Sequence, residues 1–389
     1  MRVYTFLACC ATFLTALGAD PINLPSPSGP HNVRITSKKL VDESRVDPFD
    51  AENGKRALMV TSFVPADCAL TEYFPYMPDK VAREHDVQFK ALGIRTGTFE
   101  RLQMRACSAS TYPAAPAKRA SGSYPLAIFS PGANLSRLLY NDVLANIASQ
   151  GYVVVSVDHP HDSSVVEYPD GEAVYSKQLA TNPATRQQDL ETRVADLRFV
   201  LDHLQSTASS PSTEPPLIPS SIVSNVDLAN PAAIGHSFGG ATAAQAILED
   251  ARFRGGCNLD GIMFGSVVQQ GISEPFLLMK STTSSSWRDS TWNKFITNSP
   301  GKKVEVQLLG SKHDGLTDMP IILDALPYDR DLAGRQASKS TVGTVSGSTT
   351  RDVLTAYVEA AVDWAVGGTR PALLEGPAED FPMVKYIRG

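Results

Sequence analysis

The chain of 389 residues has no surplus of positive charge: 35 lysines and arginines face 41 aspartates and glutamates, for a formal net charge of −6. Nucleic-acid binding needs a basic face, so the balance argues against that class of partner. Beyond the N-terminus no apolar run is long enough to span a bilayer. Cys-x-x-Cys pairs and clustered Cys/His spacings are missing, which argues against structural zinc, and no internal repeat is visible at any period. Cysteine itself is sparse, at five residues.

Cys9 and Cys10 lie in a segment, residues 1–19, that reads as a secretory signal peptide. It has Arg2, an apolar core through Phe6-Leu7-Ala8 and Phe13-Leu14, and small residues at Ala16, Gly18 and Ala19 for cleavage. The expected product is secreted. In an oxidising compartment, Cys68, Cys107 and Cys257 suggest one disulfide and one buried thiol. Cys68 with Cys107 is the expected bridge, because both lie in the loop-rich N-terminal third and Cys257 sits in an apparent core strand.

A hydrophobic content of 42% is enough for a full core. Residues 20–55, rich in Pro, Ser and charge, read as a loosely ordered leader, followed by a single domain over 56–389. A strand over 56–64 stops at Pro65. The string Tyr73-Phe74-Pro75-Tyr76-Met77-Pro78 is either core or a rim for transient contact with a lipid surface.

Strands buried on both faces follow at Pro125–Ser130 and Tyr152–Val157, with a helix between them through Tyr140, Leu144 and Ile147. That order gives a parallel pair with a right-handed crossover. A polar loop over 163–183 precedes a helix capped at Thr185 and Gln188. Further strands are expected at 256–260, 275–279 and 304–309, then a last helix capped by Thr350. The sum is an α/β fold on a mostly parallel sheet, with its chemistry at the carboxyl ends of the strands.

The chain is organised around Ala232-Ala233-Ile234-Gly235-His236-Ser237-Phe238-Gly239-Gly240-Ala241. An apolar strand runs into Gly-x-Ser-x-Gly and out into small, helix-compatible residues, which is the pattern of a nucleophile elbow. The turn thrusts Ser237 Oγ into open space, and glycines flank it because a Cβ would strike the neighbouring strand and helix.

A serine hydroxyl needs a base titrating near neutrality. His313, after the last parallel strand, fits the order nucleophile, acid, base; His236 within the elbow reads as a packing residue. The cluster Asp158, His159, His161 and Asp162 reads as a polar wall ordering a loop over the site rather than as a metal site. For the acid, Asp260 at a strand end and Asp289 beyond the next strand compete evenly on spacing. An oxyanion hole needs two N–H donors: Phe238, next after the nucleophile, and Ala133 in the Pro131-Gly132-Ala133-Asn134 turn are the candidates.

Taken jointly, Phe129-Ser130-Pro131-Gly132-Ala133 with Tyr140, Val157-Asp158-His159, Gly235-His236-Ser237-Phe238-Gly239-Gly240, Leu259-Asp260-Gly261-Ile262-Met263-Phe264 and Gly310-Ser311-Lys312-His313 resemble the secreted form of the platelet-activating factor acetylhydrolase family. The resemblance spans about residues 120–315 and implies an α/β-hydrolase fold with helices on both faces of the sheet. It places the acid at Asp260, with Ser237 and His313. It also implies a calcium-independent enzyme, without metal or cofactor, that removes short or oxidised acyl groups from phospholipids. The chain departs from the family at Pro131-Gly132, where His-Gly is usual. Rival expectations are a broader carboxylesterase, lipase or cutinase/polyester hydrolase, and a non-catalytic binding protein on the same fold. Nothing in the sequence specifies an oligomer.

Overall fold

The computed structural model describes residues 20–110, 114, 122–177, 183–209, 216–283 and 286–389. The expected signal peptide lies outside them. Among the described residues nine strands form one sheet: β1 (Asn32–Val46), β2 (Lys55–Ala66), β3 (Tyr124–Ser130), β4 (Val153–Asp158), β5 (Val226–His236), β6 (Gly256–Leu259), β7 (Phe276–Lys280), β8 (Lys303–Leu308) and β9 (Val384–Arg388). Their order across the sheet is β9-β8-β7-β6-β5-β3-β4-β2-β1. Pairing is parallel from β8 to β4, and antiparallel at β9 on one side and at β2 and β1 on the other.

The parallel strands are apolar on both faces because each face is covered. Ala127, Phe129, Val154 and Ile234 pack into one cluster with α1 (Asn141–Ser149) and α4 (Gly347–Gly367). Leu126, Ile128, Val155 and Ala233 pack into a second with α2 (Pro183–Ser209) and α3 (Phe238–Glu249). Alternate residues of one strand thus serve opposite layers. The order reverses between β5 and β3, the place where open α/β sheets carry their sites, at the carboxyl ends of the strands.

Several expectations need correction. Residues 20–55 are not a loose leader: β1 pairs with β2 from Asn32 to Val46. This edge strand is half exposed, so its charged residues hide the alternation. β2 continues through Pro65, near its end, where a missing N–H costs little. Within 163–183, Val165–Glu167 and Ala173–Tyr175 form a hairpin whose Val165 and Val166 are buried. The helix expected from Thr185 begins at Pro183, and Ser346, whose side chain accepts from Thr349 N–H, caps the last helix in place of Thr350.

Cys68 and Cys107 form the disulfide, with Cα atoms 5.8 Å apart. Cys257 is a buried free thiol, and burial pushes its pKa up to about 12. The aromatic string divides: Tyr76 and Met77 are core, whereas Tyr73 is exposed.

Candidate active site

Ser237 stands between β5 and α3 at φ 55°, ψ −124°, a backbone region that residues with a Cβ rarely occupy. The surrounding glycines permit the turn. A Cβ on Gly235 would collide with the Gly239 carbonyl, and one on Gly239 with the Ser130 carbonyl. Only at such close approach can the helix start directly under the serine.

His313 follows β8 at the start of a short 3-10 turn, His313–Leu316. Its Nε2 is 2.9 Å from Ser237 Oγ and its Nδ1 is 2.8 Å from Asp260 Oδ2. A carboxylate can only accept, so Nδ1 carries the proton and Nε2 is left as acceptor for the serine hydroxyl. Asp260 directly follows β6 and is buried. Its Oδ1 accepts from Ser281 N–H at 2.8 Å and from Arg288 Nη1 at 2.6 Å, and its Oδ2 also accepts from Ser281 Oγ at 2.8 Å. Burial pushes the Asp260 carboxyl up, but His313, Arg288 and the Ser281 N–H outweigh it and hold the group below the usual carboxylate range.

Asp289 lies on a helix, Ser286–Asn298. Its carboxylate is 3.5 Å from Arg288 and 3.7 Å from Lys280, and has no bond to His313 among the described residues.

Burial opposes charge on His313, yet the hydrogen bond and negative charge of Asp260 prevail and raise its pKa above the ordinary histidine value. A base must be neutral to accept a proton, so kcat/KM is expected to fall as pH drops through that raised pKa. The midpoint of the acid limb therefore lies above about 6.5. A kcat/KM profile on a neutral ester checks this, and a midpoint below 6 contradicts it.

In the turn after β3, Gly132 N–H donates to Tyr140 Oη at 3.2 Å, and Asn134 N–H to the Asp162 carbonyl at 3.1 Å. Leu135 N–H donates back to Gly132 O, and Pro131 has no N–H. The Ala133 N–H has no acceptor among the described residues. Nor has that of Phe238, whose amide opens α3, where helix geometry leaves the first N–H groups without partners. A Cβ on Gly132 would sit 3.2 Å from Ser237 Cβ, so this turn lies against the serine.

His236 is more than packing. Its Nδ1 accepts from Tyr140 Oη–H at 2.8 Å and its Nε2–H donates to the His313 carbonyl at 3.1 Å. Burial and the neighbouring His313 lower its pKa to about 3, so it stays neutral and keeps the tautomer this chain requires. The Asp158 to Asp162 group is tied up in ion pairs and hydrogen bonds. Asp158 pairs with Arg137, His159 bridges Ser130 and Asp196, and Asp162 pairs with Arg193. Sequence reasoning missed Arg288, Ser281 and Arg193, and no motif marks them: each lies in another segment and reaches the site only through folding.

Fold and site together define an α/β-hydrolase. A family model described as platelet-activating factor acetylhydrolase, isoform II, matches residues 90–328, and the chain belongs to that family. It is similar to a probable 1-alkyl-2-acetylglycerophosphocholine esterase of Arthroderma benhamiae, with 27% identity over 94% of this chain and 93% of the relative. A platelet-activating factor acetylhydrolase of Gallus gallus is 24% identical over 82% of this chain and 80% of its own. Among solved structures, a ferulic acid esterase from Streptomyces cinnamoneus is similar at a TM-score of 0.77 and 27% identity, covering 95% of this chain and all of that one. The chain is accordingly a carboxylic-ester hydrolase.

Proposed function

We propose that the protein is a secreted serine esterase that removes short or oxidised sn-2 acyl groups from phospholipids. Ser237 Oγ attacks the ester carbonyl while His313 Nε2 takes its proton and passes it to the leaving alcohol. Water, activated by the same nitrogen, then releases the acyl group from Ser237. Asp260 fixes the imidazole and stabilises its charged form, and the N–H groups of Phe238 and Ala133 bind the oxyanion. The mechanism needs no metal or cofactor.

The observation that carries this reading is the unbroken relay from Asp260 Oδ2 through His313 to Ser237 Oγ, at 2.8 and 2.9 Å. The names of the Arthroderma and Gallus relatives support the phospholipid class. The disulfide supports export, and the exposed Leu70 and Tyr73 support transient contact with a lipid surface. Likeness to the ferulic acid esterase across 95% of the chain favours a second reading, esters of aromatic acids.

Turnover separates the two. An sn-2 acetyl phospholipid is expected to give a kcat/KM at least tenfold above that of methyl ferulate and of the same phospholipid with a long sn-2 chain. A higher value for methyl ferulate would favour the aromatic-ester reading.

A further inference from the structure

Arg193, on α2, reaches the turn carrying Ala133, and it is 1% exposed. Its guanidinium is used on two sides. Nε and Nη2 fork onto Asp162 at 2.7 and 2.6 Å. On the other side Nη1 donates to the Pro131 carbonyl at 2.7 Å and to Ser130 Oγ at 3.3 Å, and Nη2 donates to the Gly132 carbonyl at 3.4 Å. The guanidinium also lies 5.0 Å from the centre of the Phe238 ring. Asp162 in turn takes the Asn134 N–H on its carbonyl at 3.1 Å, where Asn134 is in the left-handed region at φ 57°. One buried ion pair therefore grips the turn at residues 131, 132 and 134 and leaves residue 133 between its holds.

The geometry of the peptide gives this grip a consequence. In a trans peptide the C=O and the N–H that follows it point in opposite directions. Holding the Gly132 carbonyl on Arg193 therefore turns the Ala133 N–H away from Arg193. A positive charge at the oxygen end of the same resonant amide also polarises it, which makes the N–H a stronger donor.

We propose that Arg193, oriented by Asp162, is a positioning residue for the oxyanion hole: it aims the Ala133 N–H and strengthens it as a donor through the Gly132 carbonyl. This rests on the reading of Ala133 and Phe238 as the hole. Arg193 touches no reacting atom, and it acts where charge develops, so its removal weakens transition-state binding more than substrate binding.

The test uses the full-length enzyme and a p-nitrophenyl acetate assay normalised by active-site titration. Arg193→Met alone strands the buried Asp162 carboxylate, so the main variant is Arg193→Met with Asp162→Asn, which removes both charges. Its kcat is expected to fall roughly 10²-fold, the scale of a misaimed oxyanion donor, with KM changed less than threefold. Affinity for a trifluoromethyl ketone, whose adduct carries an oxyanion, falls in step with kcat. The midpoint of the pH profile stays put, since His313 is untouched. Arg193→Lys, which keeps the charge but loses the fork, recovers part of kcat. For the double variant, a kcat per titrated site within threefold of wild type, or equal losses in substrate and ketone affinity, overturns the proposal; if the double variant fails to fold, Arg193→Lys is read instead, and a loss of ketone affinity no larger than its change in KM overturns it. Ser237→Ala run in parallel keeps the two readings apart: if it is inactive while the Arg193 variants are normal, only the positioning role fails, and if it is active the site itself is misread.

Discussion

Ser237→Ala is expected to lower kcat by roughly 10⁴-fold or more, with the rate that remains coming from binding and the oxyanion donors. The substitution is clean because of where Ser237 sits. Alanine keeps the Cβ, so the backbone at φ 55° meets no new collision. The hydroxyl is lost from a half-buried position, so no closed cavity is left. The hydrogen bond to His313 Nε2 is lost, a net change of about 1 kcal/mol in stability, so a thermal melt should move little while turnover collapses. Activity above a tenth of wild type would show that another group attacks the ester.

Asp260→Asn is expected to be nearly as damaging, at roughly 10⁴-fold in kcat, whereas Asp289→Asn should stay within twofold of wild type. Asp260 receives donors from His313, Ser281 N–H, Ser281 Oγ and Arg288 on its two oxygens. Asparagine has only one oxygen, and its NH₂ must face either Arg288 and the Ser281 N–H or the imidazole and the Ser281 hydroxyl. Facing the imidazole, it reverses the tautomer, puts a proton on Nε2 and leaves Ser237 without a base. Facing the other way, it sets donor against donor beside a buried guanidinium. Asp289 is half-exposed, with cationic partners at 3.5 and 3.7 Å, and such pairs contribute little. Kinetics of both variants on one ester decide the matter, and the reverse pattern would transfer the acid's role to Asp289.

What was legible in the chain depends on how local the constraint is. The elbow could be read from ten residues, because the strained angle at Ser237 and the close approach of Gly235 to Gly239 are set within one turn, although the Gly239 contact with Ser130 comes from another strand. The order of strands and helices was legible for a related reason: strands buried on both faces read as unbroken apolar runs. The edge strand Asn32–Val46 was not, since half of it faces water and its pairing is supplied by Lys55–Ala66. Composition there resembles that of a loose segment.

The sequence by itself determined which serine heads the strand-to-helix turn, which histidine follows the last parallel strand and which cysteines could bridge. Spacing left two strand-following carboxylates even and the family resemblance pointed to Asp260; only the tertiary structure supplied the distance, 2.8 Å from Asp260 to His313, which folding sets. It alone brought Arg288 onto Asp260 from 28 residues away and Arg193 onto the Pro131 carbonyl from 62. Hydrogen bonds and ion pairs fall off within a few ångströms, and no spacing along a chain encodes that separation once the residues lie on different elements.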